Sequence, residues 1–194
     1  MLQIAAMEPG EVPILYLLQD MQDLELDGCV RAVYSVCDCV NYVLDEEELQ
    51  QAFSRVHEYL EEDGAFIFDV NTKARFENLY GELAYVFPET AEDGRESFCA
   101  WQNDYDPDSG ICDFGVTVFS ETEPGTGLYT RTEDEWSERF YLEEEIKKAL
   151  ADAGMRVVAV AGAEEGDVLP EGLDWDSPVT ETCGKIHFAA IAVK

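Results

Sequence analysis

The sequence predicts an α/β fold: a mostly parallel, twisted sheet with helices on both faces and an inserted antiparallel meander. Three observations predict it. Short continuous apolar runs stand at residues 14–18, 30–36 and 65–70, the mark of strands buried on both faces. A segment of helical period joins the second run to the third, so strand, helix and strand form a right-handed parallel crossover. From about residue 98 to 139 the pattern changes to longer alternating runs broken by turn sequences, as antiparallel hairpins require.

The elements follow in order. Residues 1–7 (MLQIAAM) read as a short amphipathic helical piece, stopped by Pro9-Gly10. The 14–18 run (ILYLL) ends in Gln19-Asp20-Met21, and the 30–36 run (VRAVYSV) ends in Cys37-Asp38. Asp45 and Glu48 fit an N-cap and capping-box pattern. Leu49, Phe53, Val56 and Leu60 then recur on one helix face, and Asp63-Gly64 closes that helix. The 65–70 run (AFIFDV) leads into Asn71-Thr72. Antiparallel strands are expected over 98–104, 110–121 and 127–139, with turns at 106–110 (DPDSG) and 123–125 (EPG). Residues 142–153 read as a helix with Ile146, Ala149 and Leu150 inward, ended by Gly154. A strand over 155–162, an acidic Gly- and Pro-containing loop over 164–182 and a closing strand over 185–193 complete the chain. The whole reads as one domain of 194 residues, with 1–80 and 142–194 as core and 81–141 as an inserted lid.

Charge narrows the function. There are 43 acidic residues against 12 basic ones, a formal net charge of -31. Phosphate binding needs clustered Lys and Arg, so a nucleic-acid partner is excluded, as is an anionic membrane surface. No stretch reaches the roughly 18 apolar residues of a spanning helix. The first residues carry no basic leader, and the expected location is the cytoplasm. Cysteines stand at 29, 37, 39, 99, 112 and 183, with a CxC at Cys37 and Cys39 but no CxxC. That pattern points to reduced thiols and to no metal site. His57 is expected at the surface and His187 as a satisfied core residue; neither is a candidate base.

Several segments, taken in order, resemble the class I S-adenosylmethionine-dependent methyltransferases, whose fold is Rossmann-like. Residues 17–24 (LLQDMQDL) look like the family's D-M-x-x-L at the end of the third strand. Residues 37–43 (CDCVNYV) are similar to its D-x-x-N-Y after the fourth. Residues 62–72 (EDGAFIFDVNT) resemble its P-G-G-x-x-x-x-D-x-N-T at the fifth, with Glu62-Asp63-Gly64 in place of Pro-Gly-Gly. Residues 135–146 are similar to the lead into its last helix, and 153–158 (AGMRVV) look like the start of its sixth strand. Met1-Leu2-Gln3-Ile4-Ala5 looks like the start of the helix after the second strand. On that alignment the fold is incomplete at the N-terminus. The Gly-rich cofactor loop would lie upstream, and the chain by itself is expected to bind cofactor weakly. Residues 14–18 should then pair abnormally, pair across a homodimer, or lie beside a gap.

The resemblance implies S-adenosyl-L-methionine as cofactor and methyl transfer to a small-molecule acceptor. Ligands of open α/β sheets bind at the carboxyl ends of strands, which selects Asp20, Asp38 and Asp69. By resemblance, Asp20 accepts from the adenine amino group beside the Met21 backbone, while Asp38 and Asn41 floor the methionine end. Asp69, Asn71, Tyr42, Trp101, Trp136 and Arg139 are expected on the acceptor side. Family members carry His where this chain has Trp136, so no catalytic base is assigned. Two other readings compete. One is a non-catalytic methyltransferase-like binding module that needs a partner. The other is a nicotinamide-dependent oxidoreductase, which lacks the same Gly loop and gains nothing from the D-x-x-N-Y segment.

Overall fold

Apolar residues at three- and four-residue spacing close the core of the first sheet. The computed structural model describes residues 7, 12–80, 84–164 and 173–194. The first strand, β1 (Val30–Ser35), leads through a 3-10 turn (Cys39–Tyr42) to α1 (Glu46–Tyr59) and β2 (Leu60–Asn71). A short α2 (Lys73–Arg75) continues as a π turn (Phe76–Tyr80). Then come β3 (Ala84–Thr90), β4 (Glu96–Asp106), β5 (Ile111–Glu121), β6 (Tyr129–Arg139), α3 (Glu143–Asp152), β7 (Met155–Glu164) and β8 (Cys183–Ala192).

The strands form two four-stranded sheets, β1-β2-β8-β7 and β3-β4-β5-β6. In the first, β1 and β2 are parallel, with Tyr34 opposite Ile67. This is the expected crossover, with α1 between the strands. Asp45 caps α1: its carboxylate accepts from Glu47 N at 2.7 Å and Glu48 N at 3.3 Å. Leu49, Phe53 and Val56 are buried as their spacing requires, but the helix ends at Tyr59 rather than at Asp63-Gly64, and the buried Leu60 is the first residue of β2. Phe53 packs on Phe66 and Phe68, and Phe68 stacks on Phe188 with ring centres 5.1 Å apart. Such contacts add about 0.5–1.5 kcal/mol per pair beyond burial.

The α/β architecture with a meander stands, but the sheet is mixed: β2–β8 and β7–β8 are antiparallel. Strand β8 returns from β7 with no crossover helix among the described residues, and a return of that kind reverses direction. The expectation of helices on both faces also changes. Helices α1 and α3 touch each other and share one core on one face, through Phe53 and Val56 on α1 and Ile146 and Leu150 on α3. The opposite face, with Ile67, Ala189 and Ile191, is only half-buried.

Residues 14–18 form no strand. Leu15 is 76% and Leu18 90% exposed, and no described strand lies on the outer edge of β1. An apolar run cannot hold a strand without a ladder partner, because its backbone groups then bond to water. The expected helical piece at 1–7 and the Pro9-Gly10 stop lie outside the described residues, apart from Met7; so does part of the 164–182 loop. Two elements were not expected. One is β3, whose Pro88 suits an edge strand. The other is the helical turn at 73–80. Gly154 ends α3 at φ +83, a backbone conformation that favours glycine, and a Cβ there would sit 3.1 Å from the His57 ring. Among the described residues no helix is long and apolar enough to cross a membrane.

Candidate functional site

Parallel pairing brings the carboxyl ends of β1 and β2 to one edge of the sheet, and there Asp38 and Asp69 meet. Cys37 (φ 60) and Asp38 (φ 55) are both left-handed, which costs non-glycine residues about 1–2 kcal/mol each. This turn aims the Asp38 N–H at Asp69 Oδ2, 3.0 Å away. Lys185, at the start of β8, donates to Asp38 Oδ1 at 3.0 Å and also to Asp69 Oδ2. Burial pulls the Lys185 ammonium down, but its bonds to Asp69 and Asp38 outweigh that and hold it above the usual lysine range. Burial, then the Asp38 charge, pushes the Cys39 thiol up.

Asn41 is fully buried and staples three elements. Its Oδ1 accepts from Asn71 N at 2.8 Å, and its amide donates to Asn71 O at 3.2 Å and Arg139 O at 2.9 Å. Every polar atom of that side chain is therefore engaged within the protein. Asn41 thereby holds the 3-10 turn, β2 and the end of β6 together at the site. Asn71 donates to the Tyr80 hydroxyl at 3.2 Å, and Arg75 Nε donates to the same oxygen at 2.9 Å. Burial pushes the Tyr80 phenol up against the pull of Arg75. The buried Oδ1 of Asn71 has no partner.

Tyr42 projects from the 3-10 turn and is 49% exposed. Its phenol is pushed up to about 12 by burial, then by the Glu138 and Asp38 carboxylates. The inner face of the meander supplies the opposing wall. Trp101 and Trp136 meet edge to face with centres 5.2 Å apart, and Phe114 stacks on Trp136 at 5.3 Å. These rings pack against Phe76 and Tyr80 of the π turn.

Among them sits an acid that sequence reasoning missed. Glu138 is 3% exposed. Its Oε1 accepts from Trp136 Nε1 at 3.1 Å, while Oε2 has no partner. Burial pushes this carboxyl up, and the nearby Asp38 charge adds to the shift. The available signal was alternation: Glu138 shares the inward parity of Trp136 on a strand whose outward positions are also acidic, and that acidity hid it. His187 is half-buried, with a backbone hydrogen bond to Ala161 beside an unpartnered Nδ1, so the expected satisfied core histidine is met only in part. Burial pulls its imidazole down.

The remaining expected residues lie apart from this cluster or are already engaged. Asp20 is exposed and accepts from Gln22 N at 3.2 Å in a local turn. Met21 packs against the main core. The Arg139 guanidinium donates to Leu44 O and to Glu46, each at 3.2 Å, and lies over the Tyr141 ring. It ties the end of β6 to the start of α1. A separate groove of about 550 Å³ opens on the outer face of the meander at Gly115, rimmed by Asp104, Asp113 and Glu135. Its acids are exposed, and it lies away from the strand ends where open α/β sheets hold ligands.

The mixed α/β sheet shares its fold with solved S-adenosylmethionine-dependent methyltransferases. A solved S-adenosylmethionine-dependent methyltransferase from Clostridium acetobutylicum ATCC 824 superposes with a TM-score of 0.72 at 21% identity, covering 92% of this chain and 64% of that one. In sequence the chain is similar to a Geobacillus sp. (strain WCH70) protein named "Putative methyltransferase GWCH70_2453", 34% identical over 82 residues. It is also similar to the protein of the same description, YqeM, from Bacillus subtilis (strain 168), 27% identical over 150 residues. The matches cover 42% and 75% of this chain, and the chain spans 33% and 56% of those relatives' lengths. No family model matches. The resemblance read from the sequence is thus met both in the curated relatives and in the fold.

Proposed function

We propose that this chain takes part in methyl transfer from S-adenosylmethionine to a small-molecule acceptor at the carboxyl ends of β1 and β2. The observation that carries this reading is the meeting of Asp38 and Asp69 at that edge, opposite an aromatic wall on the meander. The residues present suit a sulfonium cofactor. Asp38 and Glu138 set negative charge where a cationic centre would sit, and the unpartnered Asn71 Oδ1 offers a further acceptor. When bound, the cofactor supplies an activated methyl group. The chain then has to align an acceptor and exclude water. Asp38 holds the methionine end, with Asn41 and Lys185 fixing its surroundings. Asp20 and the Met21 backbone take the adenine. Asp69, Asn71, Tyr42, Trp101 and Trp136 face the acceptor, and Arg139 braces the lid.

Calorimetry with S-adenosylhomocysteine tests this. The expected result is weak one-site binding by the chain, lowered about a further tenfold in Asp38→Ala, as for loss of a charge-assisted hydrogen bond. Equal affinity in parent and variant would remove Asp38 from the cofactor site. The exposed 14–18 run and the open edge of β1 favour a second reading, a binding module completed by a partner. A chain that binds no S-adenosylhomocysteine yet sediments as a dimer would support that instead.

A further inference from the structure

Glu138 is a buried acid with one oxygen held and the other left open. Trp136 Nε1 holds Oε1 at 3.1 Å, and the buried Oε2 makes no hydrogen bond of good geometry, with the Asn71 side chain as its nearest polar neighbour. A carboxylate left this way loses the solvation of two oxygens and regains only part of it from hydrogen bonds. The groups around it come from every neighbouring element. Asp38 follows β1, Tyr42 lies on the 3-10 turn, Arg75 on α2, Tyr80 on the π turn and Cys112 on β5, while Asn71 ends β2. Arg75 is engaged with Tyr80, by hydrogen bond and over its ring. Glu138 therefore faces three further oxygen acids, Asp38 and the Tyr42 and Tyr80 phenols, beside the rings of Trp136 and Trp101.

We propose that Glu138 is a catalytic residue that takes a proton from an amine acceptor bound beside Trp136, Tyr42 and Asp38. An ammonium supplies the donor that Oε2 lacks. It is also drawn by the Asp38 charge and by aromatic faces, whereas a neutral hydroxyl gains neither attraction. The step rests on the methyl-transfer reading. The amine first gives one proton to Oε2, which leaves the nitrogen lone pair free. That lone pair forms the new N–C bond while the methyl carbon–sulfur bond breaks, its electron pair staying on a now neutral sulfur. The nitrogen, cationic again, later sheds its second proton to solvent. Burial raises the Glu138 carboxyl toward the working pH, where a proton acceptor is most effective.

The test uses the full 194-residue chain with carboxyl-¹³C glutamate, and benzylamine as probe. The Glu138 resonance is identified by its absence in both Glu138→Gln and Glu138→Asp. Expected is a Glu138 titration midpoint above those of the surface glutamates, moved down by saturating benzylamine. Benzylamine should bind about tenfold or more weakly to Glu138→Gln, and benzyl alcohol equally to both. A Glu138 resonance indifferent to benzylamine, or equal benzylamine affinity in parent and Glu138→Gln, overturns the proposal. If benzyl alcohol loses as much affinity as the amine, the amine class is wrong. S-adenosylhomocysteine calorimetry on the same sample separates the two readings. An amine response without cofactor binding sinks the methyl-transfer reading and leaves the amine site, while cofactor binding without an amine response does the reverse.

Discussion

At the scale of single residues, one buried amide and one buried acid carry most of the site. Asn41 makes three hydrogen bonds from a fully buried position, tying together the 3-10 turn, β2 and β6. Asn41→Ala would leave the Asn71 amide and two carbonyls unpaired, at about 1–3 kcal/mol per buried group. Urea unfolding should show a loss of about 3 kcal/mol or more with an unchanged slope. Glu138 makes a prediction in pH. Its folded carboxyl lies above the usual carboxylate range through burial. The folded state therefore binds that proton more tightly than the unfolded state does. The associated stability is present below the unfolded value of about 4.3 and is lost as pH rises through the raised folded value. Glu138→Gln removes this dependence. Its urea midpoint relative to the parent should rise between pH 4 and pH 8, and a constant difference would mean that Glu138 titrates normally. The sequence showed Asn41 in a recognisable segment but not that its side chain is consumed by the fold. Three partners that lie 30 and 98 residues away are not visible along the chain.

At the scale of elements, periodicity and caps read truly where a neighbour was present. Asp45 was legible as an N-cap, and Asp45→Ala should lower stability by about 1 kcal/mol. Phe53→Ala, which removes a fully buried ring packed on Phe66 and Phe68, should cost about 3–5 kcal/mol. The 14–18 run reads as the same kind of buried strand as 65–70, yet Leu18 is 90% exposed. Leu18→Ser should therefore change the unfolding free energy obtained from urea titration by less than about 0.5 kcal/mol. A loss like that of Phe53→Ala would show that this run is buried in solution. The reason for the difference is general. An apolar run states what a strand needs on its faces, but the ladder that makes it a strand comes from another segment. Residues 73–80 were missed for a similar reason: Phe76 and Tyr80 are held by rings on β4, β5 and the end of β6, a tertiary cause of a local helical turn.

At the scale of the whole molecule, a formal charge of -31 makes the folded state repel itself. Salt should relieve this. Melting temperature is expected to rise between about 20 mM and 300 mM NaCl, since the Debye length falls below about 10 Å across that range, and a flat response would show that ion pairs already balance the field. Against that field Lys185 stands out, holding Asp38 and Asp69 together at the strand ends. Nothing in its own segment, a strand of alternating small and apolar residues, marks it as part of the site. What the sequence alone determined was the α/β class, the β1-α1-β2 crossover, the meander, and Asp38 and Asp69 at a shared edge. These follow from local periodicity and from the rule that parallel strands end on the same side. The tertiary structure alone decided the mixed direction of the sheet, the exposure of residues 14–18, the Lys185 clamp and the open oxygen of Glu138. Each of those depends on which distant segment comes to lie alongside, and strand pairing and burial are properties of that neighbour as much as of the residue itself.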